Sequence, residues 1–284
     1  MRRSTRVSII AAALALAGAG PAHAATVTAT HDTINGPPAT LTYTAAPGEA
    51  NDVTITTTGA IDHSGWLVTE EGSSATLVPG AGCQSLDTHT AFCALTASDT
   101  TIAASVDLGD MDDQASLTGI CGATAIGQRV TCSSVTADGG DGNDFIVGSD
   151  SAGRDKQSIE GGTGDDTLVA GAEGATMDGG DGNDKLFGSH AADLLTGGNG
   201  DDVIRGYSGN DDLRGGPGND VLEGGYGTDQ LKGAQGEDTM HGGPGNDTLR
   251  TRDGAADQVF GDSGTDEARI DRGLDPTSSI ESIF

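Results

Sequence analysis

Residues 197–232 read GGNGDDVIR GYSGNDDLR GGPGNDVLE GGYGTDQLK, four units of nine residues held in one register. Outward from these four, the register runs through ten uninterrupted units from Gly161 to Arg250. Asp stands at position six in nine of them, failing only at Ala175, and Leu, Ile or Met stands at position eight in all ten. Position four is Gly in eight of the ten. An earlier unit, GGDGNDFIV, occupies 139–147 and is separated from the array by the 13 residues 148–160; later units at 251–260 and 261–269 carry Asp257 and Asp266 in the corresponding place. Drift toward a Gly- and Asp-rich composition does not hold a register over this many units, whereas a stacked solenoid requires one.

Each position in the unit has a physical reading. Glycines at positions one, two and four allow positive φ and sharp turning, so successive carbonyls can aim at one locus. The remaining three residues make a very short strand with its single aliphatic side chain turned inward and its neighbours outward. Two units therefore close one coil of about 18 residues, and stacking sets each Asp above the Asp two units further on. Carbonyl oxygens and paired carboxylates form an all-oxygen site suited to calcium; zinc prefers His or Cys, and magnesium demands a tighter octahedron. Two buried aliphatic side chains per coil do not offset the entropy of ordering the coil, and stacked carboxylates repel one another. The repeat region is therefore expected to be largely disordered without calcium and to fold as it binds.

Composition agrees with that expectation. The chain has 284 residues, 47 of them Gly, and 43 acidic against 14 basic side chains give a net charge of −29. Such a surface repels a phosphate backbone, which excludes a nucleic-acid binder. Only 3% of residues are aromatic and 35% apolar, a composition that ordinarily leaves a chain disordered unless something other than a core holds it. Residues 1–24 combine Arg2, Arg3 and Arg6, the apolar run Val7 to Gly20 and Ala22-His23-Ala24, the three-part pattern of a secretory signal peptide. The run is too short for a membrane span, and no later apolar run is long enough for one. Export makes the four cysteines candidates for pairing, and local pairs Cys83 with Cys93 and Cys121 with Cys132 are the simplest of the three connectivities. Neither CxxC nor a Cys/His cluster is present.

The composition shifts near Asp138: residues 139–284 hold 34 of the 47 glycines and 30 of the 43 acids. Before it, ATLTYTA (39–45), DVTITTTG (52–59) and TIAASVDLG (101–109) carry the Thr and Val enrichment of short strands. The organisation expected is a signal peptide (1–24), a β-rich region with two disulfides (25–138), a repeat array (139–269) and a C-terminal cap (270–284).

The nonapeptide GGxGxDxUx resembles the RTX, or haemolysin-type, calcium-binding repeat, and the stretches Asp202 to Asp220 and Asp211 to Asp229 match that family's longer pattern. The resemblance implies an all-β fold, a right-handed parallel β-roll. It also implies several Ca2+ ions held by glycine-turn carbonyls and by position-six Asp residues of units n and n+2. Carried across residue by residue, one edge uses Asp166, Asp184, Asp202, Asp220 and Asp238 and the other Asp193, Asp211, Asp229 and Asp247, with Asp144, Asp257 and Asp266 at the ends. The turn glycines are Gly161, Gly162 and Gly164; Gly179, Gly180 and Gly182; Gly197, Gly198 and Gly200; Gly215, Gly216 and Gly218; Gly224, Gly225 and Gly227; and Gly242, Gly243 and Gly245.

Four departures stand out. Ala175 removes a carboxylate, and GSHAADLLT (188–196) lacks the second and fourth glycines. The stretch 148–160 is expected to break stacking between Asp144 and Asp166, and a one-residue slip precedes Asp257 and Asp266. The segments LTYTAAPGEANDVTIT and VDLGDMDD, with the cysteine-flanked segment between them, resemble the leading region of a group of secreted bacterial calcium-binding RTX proteins, and DGAADQVFGDSGTDEARIDRGLD resembles their tails. Asp107, Asp110, Asp112 and Asp113 miss EF-hand spacing and read as a solvated acidic turn.

No HExxH, GxSxG or phosphate loop is present. Asp62, His63 and Ser64 are adjacent in sequence, whereas the members of a triad converge from separate elements, and His31, His89, His190 and His241 stand isolated. Trp66 reads as a core residue of the N-terminal region, and Tyr207 and Tyr226 as exposed turn residues. The reading is a secreted, extracellular, non-catalytic calcium-binding protein. Its alternatives are an adhesin that uses the β-roll as a stalk to present 25–138 to a glycan or protein partner, and a hydrolase with an unrecognised site in that half.

Overall fold

The computed structural model describes residues 25–30, 39–45, 47–48, 50–60, 63–70, 78–79, 83–85, 90–94, 101–117, 124–125, 128–129, 131–149 and 156–284. Residues 1–24, His31, Asp62, His89 and Cys121 lie outside the described residues. Among those described, the fold is all-β, with no helix and hence none long and apolar enough to cross a membrane.

Two sheets run side by side along the chain. From its N-terminal end the first takes Val78–Pro79, Thr26–Thr30, Ala39–Thr44, Thr101–Asp107, Thr131–Asp141, Lys156–Thr163, Ala175–Asp181, Leu194–Asn199, Asp212–Pro217, Gln230–Gln235, Thr248–Arg250, Glu267–Arg269 and Ser282–Ile283. The second takes Cys83–Ser85, Thr90–Ala94, His63–Glu70, Asp52–Ala60, Gln114–Ser116, Phe145–Val147, Thr167–Val169, Lys185–Phe187, Val203–Ser208, Val221–Tyr226, Thr239–Gly245, Gln258–Gly264 and Thr277–Ser278. Every pairing within the array is parallel, since the chain alternates between the two sheets and advances one strand per coil. Antiparallel pairs occur at the N-terminal end, between Thr26–Thr30 and Ala39–Thr44 and from Asp52–Ala60 through His63–Glu70 to Thr90–Ala94 and Cys83–Ser85.

The 39–45, 52–59 and 101–109 segments form strands as expected, at Ala39–Thr44, Asp52–Ala60 and Thr101–Asp107. Several array strands are longer than the three residues the repeat suggests: Val221–Tyr226 continues through the first glycines of the next unit. The composition shift at Asp138 does not interrupt either sheet, because Thr131–Asp141 pairs in parallel with Thr101–Asp107, and Phe145–Val147 with Gln114–Ser116.

Register fixes the interior. In the first sheet Tyr43, Val106, Ala137, Ile159, Met177, Leu195, Leu213, Leu231, Leu249 and Ala268 stack in one buried column. In the second sheet Val53, Ala115, Ile146, Leu168, Leu186, Ile204, Leu222, Met240 and Val259 do the same. A one-residue slip would turn every one of these side chains to solvent, so the position-eight pattern specifies the stacking.

Candidate metal centre

The turns between the sheets carry the carboxylates. The unit GGPGND (215–220) shows why the glycines are there. A Cβ on Gly215 would lie 2.0 Å from Asp220 Oδ2, so only a residue without a side chain leaves room for that carboxylate. Gly216 and Gly218 have φ of +129° and +151°, and a Cβ on either would lie 2.0 and 1.9 Å from the carbonyl oxygens of Gly198 and Gly200 in the preceding coil. The coils thus stack glycine carbonyl against glycine, beside an inward-turned Asp.

The position-six residues build two hydrogen-bonded columns. In the first, each backbone N–H donates to Oδ1 of the Asp one coil later: Asp166 to Asp184 (2.8 Å), Asp184 to Asp202 (2.8 Å), Asp202 to Asp220 (2.9 Å) and Asp220 to Asp238 (2.9 Å). The second runs from Asp193 to Asp211 (2.9 Å), Asp229 (2.8 Å) and Asp247 (2.9 Å). Two expectations are corrected here. The stretch 148–160 does not break stacking: Asp144 N–H donates to Asp166 Oδ1 at 2.8 Å, because the four extra residues leave the register of the flanking strands intact. The one-residue slip is absorbed in the same way, with Asp238 donating to Asp257 and Asp247 to Asp266, both at 2.8 Å across 19 residues.

Both columns extend beyond the repeat consensus. At the C-terminal end Asp257 N–H donates to Asp275 Oδ1 at 3.2 Å and Asp266 N–H to Glu281 Oε2 at 2.7 Å. At the N-terminal end Asp113 N–H donates to Asp144 Oδ1 at 2.8 Å, and Asn51 N–H donates to Asp113 Oδ1. The acidic segment is therefore not a uniformly solvated turn. Asp107 and Asp112 are exposed and Asp110 is half-buried, but Asp113 is 1% exposed and belongs to the column. Sequence reasoning missed Asp113, Asp275 and Glu281. Two of them carried a signal: Asp113 in the spacing of LGDMDDQAS (108–116), once Leu and Met are allowed at glycine positions, and Asp275 nine residues after Asp266, with Gly273 two residues before it at position four.

A further ladder lies outside the columns. Position-five side chains accept the N–H of the next coil's position five: Asn143 from Asp165 (2.6 Å), Asp165 from Asn183 (2.8 Å), Asn183 from Asp201 (2.9 Å) and Asp201 from Asn219 (2.7 Å).

Every column Asp other than Asp193 and Asp275 uses Oδ1 for the hydrogen bond, and the second oxygen is left over. Oδ2 of Asp113, Asp144, Asp166, Asp184, Asp202, Asp211, Asp220, Asp229, Asp238, Asp247, Asp257 and Asp266 is buried with no hydrogen-bond partner. Burial of a carboxylate without a partner is costly, and the groups respond. Desolvation pushes Asp113, Asp166, Asp202, Asp211 and Asp220 up to about 7, and Asp144, Asp184, Asp238 and Asp247 up to about 6, against the relief given by the backbone N–H that each accepts. Asp229, Asp257 and Asp266 are raised for the same reason.

Asp193 differs, as its weakened glycine pattern foretells. Ser189 fills the second glycine position of that unit, and its N–H donates to Asp193 Oδ2 at 2.7 Å, so this carboxylate has no orphaned oxygen. Ala175 holds the place before it, with its N–H donating to Asp193 Oδ1 at 2.6 Å. Tyr207 and Tyr226 are exposed beside the glycines, as expected, and Tyr207 takes the second glycine position with φ +68°.

The donor set fits a hard cation. Among the described residues no three His, Cys, Asp or Glu side chains gather, so a metal held here draws most of its ligands from backbone carbonyls, which suits calcium and not zinc. A bound divalent cation would supply the positive charge that the buried Oδ2 atoms lack.

The family model of the RTX calcium-binding nonapeptide repeat (4 copies) matches residues 136–152, 151–186, 173–204, 188–222, 214–249 and 236–268. No curated protein and no solved structure matches the chain. With its register, its glycine turns and its aspartate columns, the segment 136–268 is an array of RTX calcium-binding nonapeptide repeats folded as a parallel β-solenoid.

Proposed function

We propose that this chain is a secreted, non-catalytic calcium-binding protein whose array folds as it takes up several Ca2+ ions. The observation that carries the reading is the set of buried Asp Oδ2 atoms without partners, a charge arrangement that is unfavourable alone and favourable around cations. The ligands would be Asp144, Asp166, Asp184, Asp202, Asp220, Asp238 and Asp257 on one side and Asp211, Asp229, Asp247 and Asp266 on the other, with the glycine-turn carbonyls; Asp193 is the weakest member because Ser189 already occupies it. Export to calcium-rich surroundings, which the leader pattern supports, would then trigger folding. In the oxidising compartment beyond, Cys83 and Cys93 would form a disulfide, a pairing supported by their opposed places on neighbouring antiparallel strands.

Circular dichroism of the full chain, titrated with calcium and separately with magnesium, tests the proposal. A cooperative gain of β signal with calcium alone is expected. Chelator-treated protein as compact and protease-resistant as the calcium-saturated form would overturn it.

A further inference from the structure

Residues 108–116, LGDMDDQAS, precede the segment that the repeat family matches and carry Leu108 and Met111 where a repeat has glycine. Their backbone nevertheless behaves as a repeat. Gly109 and Met111 have φ of +93° and +86°, the hand taken by the second and fourth glycines of the array. A Cβ on Gly140 would lie 1.9 Å from Gly109 O, and one on Gly142 would lie 1.9 Å from Met111 O. One coil later the same distances are 2.0 Å from Gly162 to Gly140 O and 1.9 Å from Gly164 to Gly142 O. The hydrogen bonds repeat as well. Phe145 N–H donates to Asp113 O at 2.9 Å, as Thr167 N–H does to Asp144 O at 2.8 Å. Asn143 N–H donates to Asp112 Oδ1 at 2.9 Å, which starts the outer ladder.

The side chain at position six completes the match. Asp113 is 1% exposed, its Oδ1 receives Asn51 N–H, and its Oδ2 is buried with no hydrogen-bond partner. In the coil before it, the corresponding place belongs to Asn51, whose Nδ2 donates to Leu108 O at 3.3 Å and Asp113 Oδ1 at 3.2 Å. An amide carries no charge to neutralise, so the carboxylate column ends at Asp113.

We infer that residues 108–116 are a hidden repeat unit that forms an additional calcium site with the 139–144 turn, held by the carboxylates of Asp113 and Asp144 and the carbonyls of Gly109 and Met111. Met111 at positive φ is the strain this site carries in place of glycine. The inference rests on the calcium reading of the array and adds one ion to it, outside the recognised repeats.

The test is a count of bound calcium by equilibrium dialysis of the full chain at saturating calcium. Asp113→Asn places at 113 the residue type that the preceding coil already uses, and is expected to bind one ion fewer than wild type; Asp107→Asn, a change at an exposed acid nearby, is expected to bind the same number. Asp144→Asn supplies an independent reading, since Asp144 would serve the new site and the next one: a loss of two ions supports the inference and a loss of one overturns it. Equal loading of wild type and Asp113→Asn would overturn it while leaving the array intact. A wild-type chain that binds no calcium would instead remove the reading beneath it.

Discussion

Between residues 39 and 68 the buried apolar side chains among the described residues are Leu41, Tyr43, Val53, Ile55 and Val68, beside the uncharged Asn51, and several of their strands pair antiparallel. Between residues 197 and 232 each strand turns in one leucine or isoleucine, and each turn adds a buried Asp. The first region draws its stability from apolar area, roughly 1.5–3 kcal/mol for each large side chain. The second has half of its buried column made of groups that oppose burial. One continuous pair of sheets therefore joins an apolar regime to an ionic one, and the two should respond differently to anything that changes charge.

Chelation should separate them most widely. Without calcium, amide hydrogen exchange across the array strands, Val203–Ser208 and Val221–Tyr226 among them, should rise to the level of an unfolded chain, while Ala39–Thr44 and Asp52–Ala60 retain more of their protection. Equal loss in both regions would break the comparison.

Within the ionic regime, position decides the effect of removing a carboxylate. In saturating calcium, Asp220→Ala should cost about 3–5 kcal/mol, the scale of leaving buried charge without its partner. Asp212→Ala removes an acid eight residues earlier that pairs with Arg214 at 2.8 Å on the exposed face, and should change stability by under about 1 kcal/mol. Thermal melts of the two variants read the difference, and equal effects would remove the column scheme.

Smaller, and opposite in sign with and without calcium, is the response to pH. Burial raises Asp166, Asp202, Asp211 and Asp220 to about 7, whereas an unfolded Asp titrates near 3.9. A carboxyl raised by folding opposes folding once ionised, so its cost is absent below about 4 and complete above about 7. In chelator, β signal from the array should therefore fall as pH rises across that window. In calcium the order reverses, because protons compete for the same oxygens and affinity strengthens toward pH 7. Circular dichroism at fixed calcium and in chelator, at pH 5 and pH 7.5, checks both signs.

The array was legible in sequence because its period encodes three physical requirements at once: room at Gly215, positive φ at Gly216 and Gly218, and an inward aliphatic at Leu222. Its tolerance was not legible. The four-residue and one-residue insertions before Asp166 and Asp257 look like breaks in a string of letters, but the coils pair through strands, and the flanking strands keep their register across both. Asp113 was obscured for a related reason. Leu108 and Met111 violate the consensus by residue type, whereas the fold requires a backbone conformation that Met111 adopts at φ +86°.

The smallest effect sharpens the comparison at a single position. Ala175 is 4% exposed and is an apolar residue standing in a carboxylate column, within the unit AGAEGATMD. Ala175→Asp moves that position from one regime to the other. If the column governs it, the new carboxyl adds a buried charge that calcium offsets, so the variant melts slightly lower than wild type at limiting calcium and converges on it at saturation. The slope of Tm against the logarithm of calcium concentration should then steepen, since that slope counts ions taken up on folding. The gain is modest because the partner, Asp193, has Oδ2 engaged by Ser189 N–H. A uniform fall in Tm with unchanged slope would mean that the turn at 170–178 packs as apolar core, and that the ionic regime of the second column begins only at Asp211.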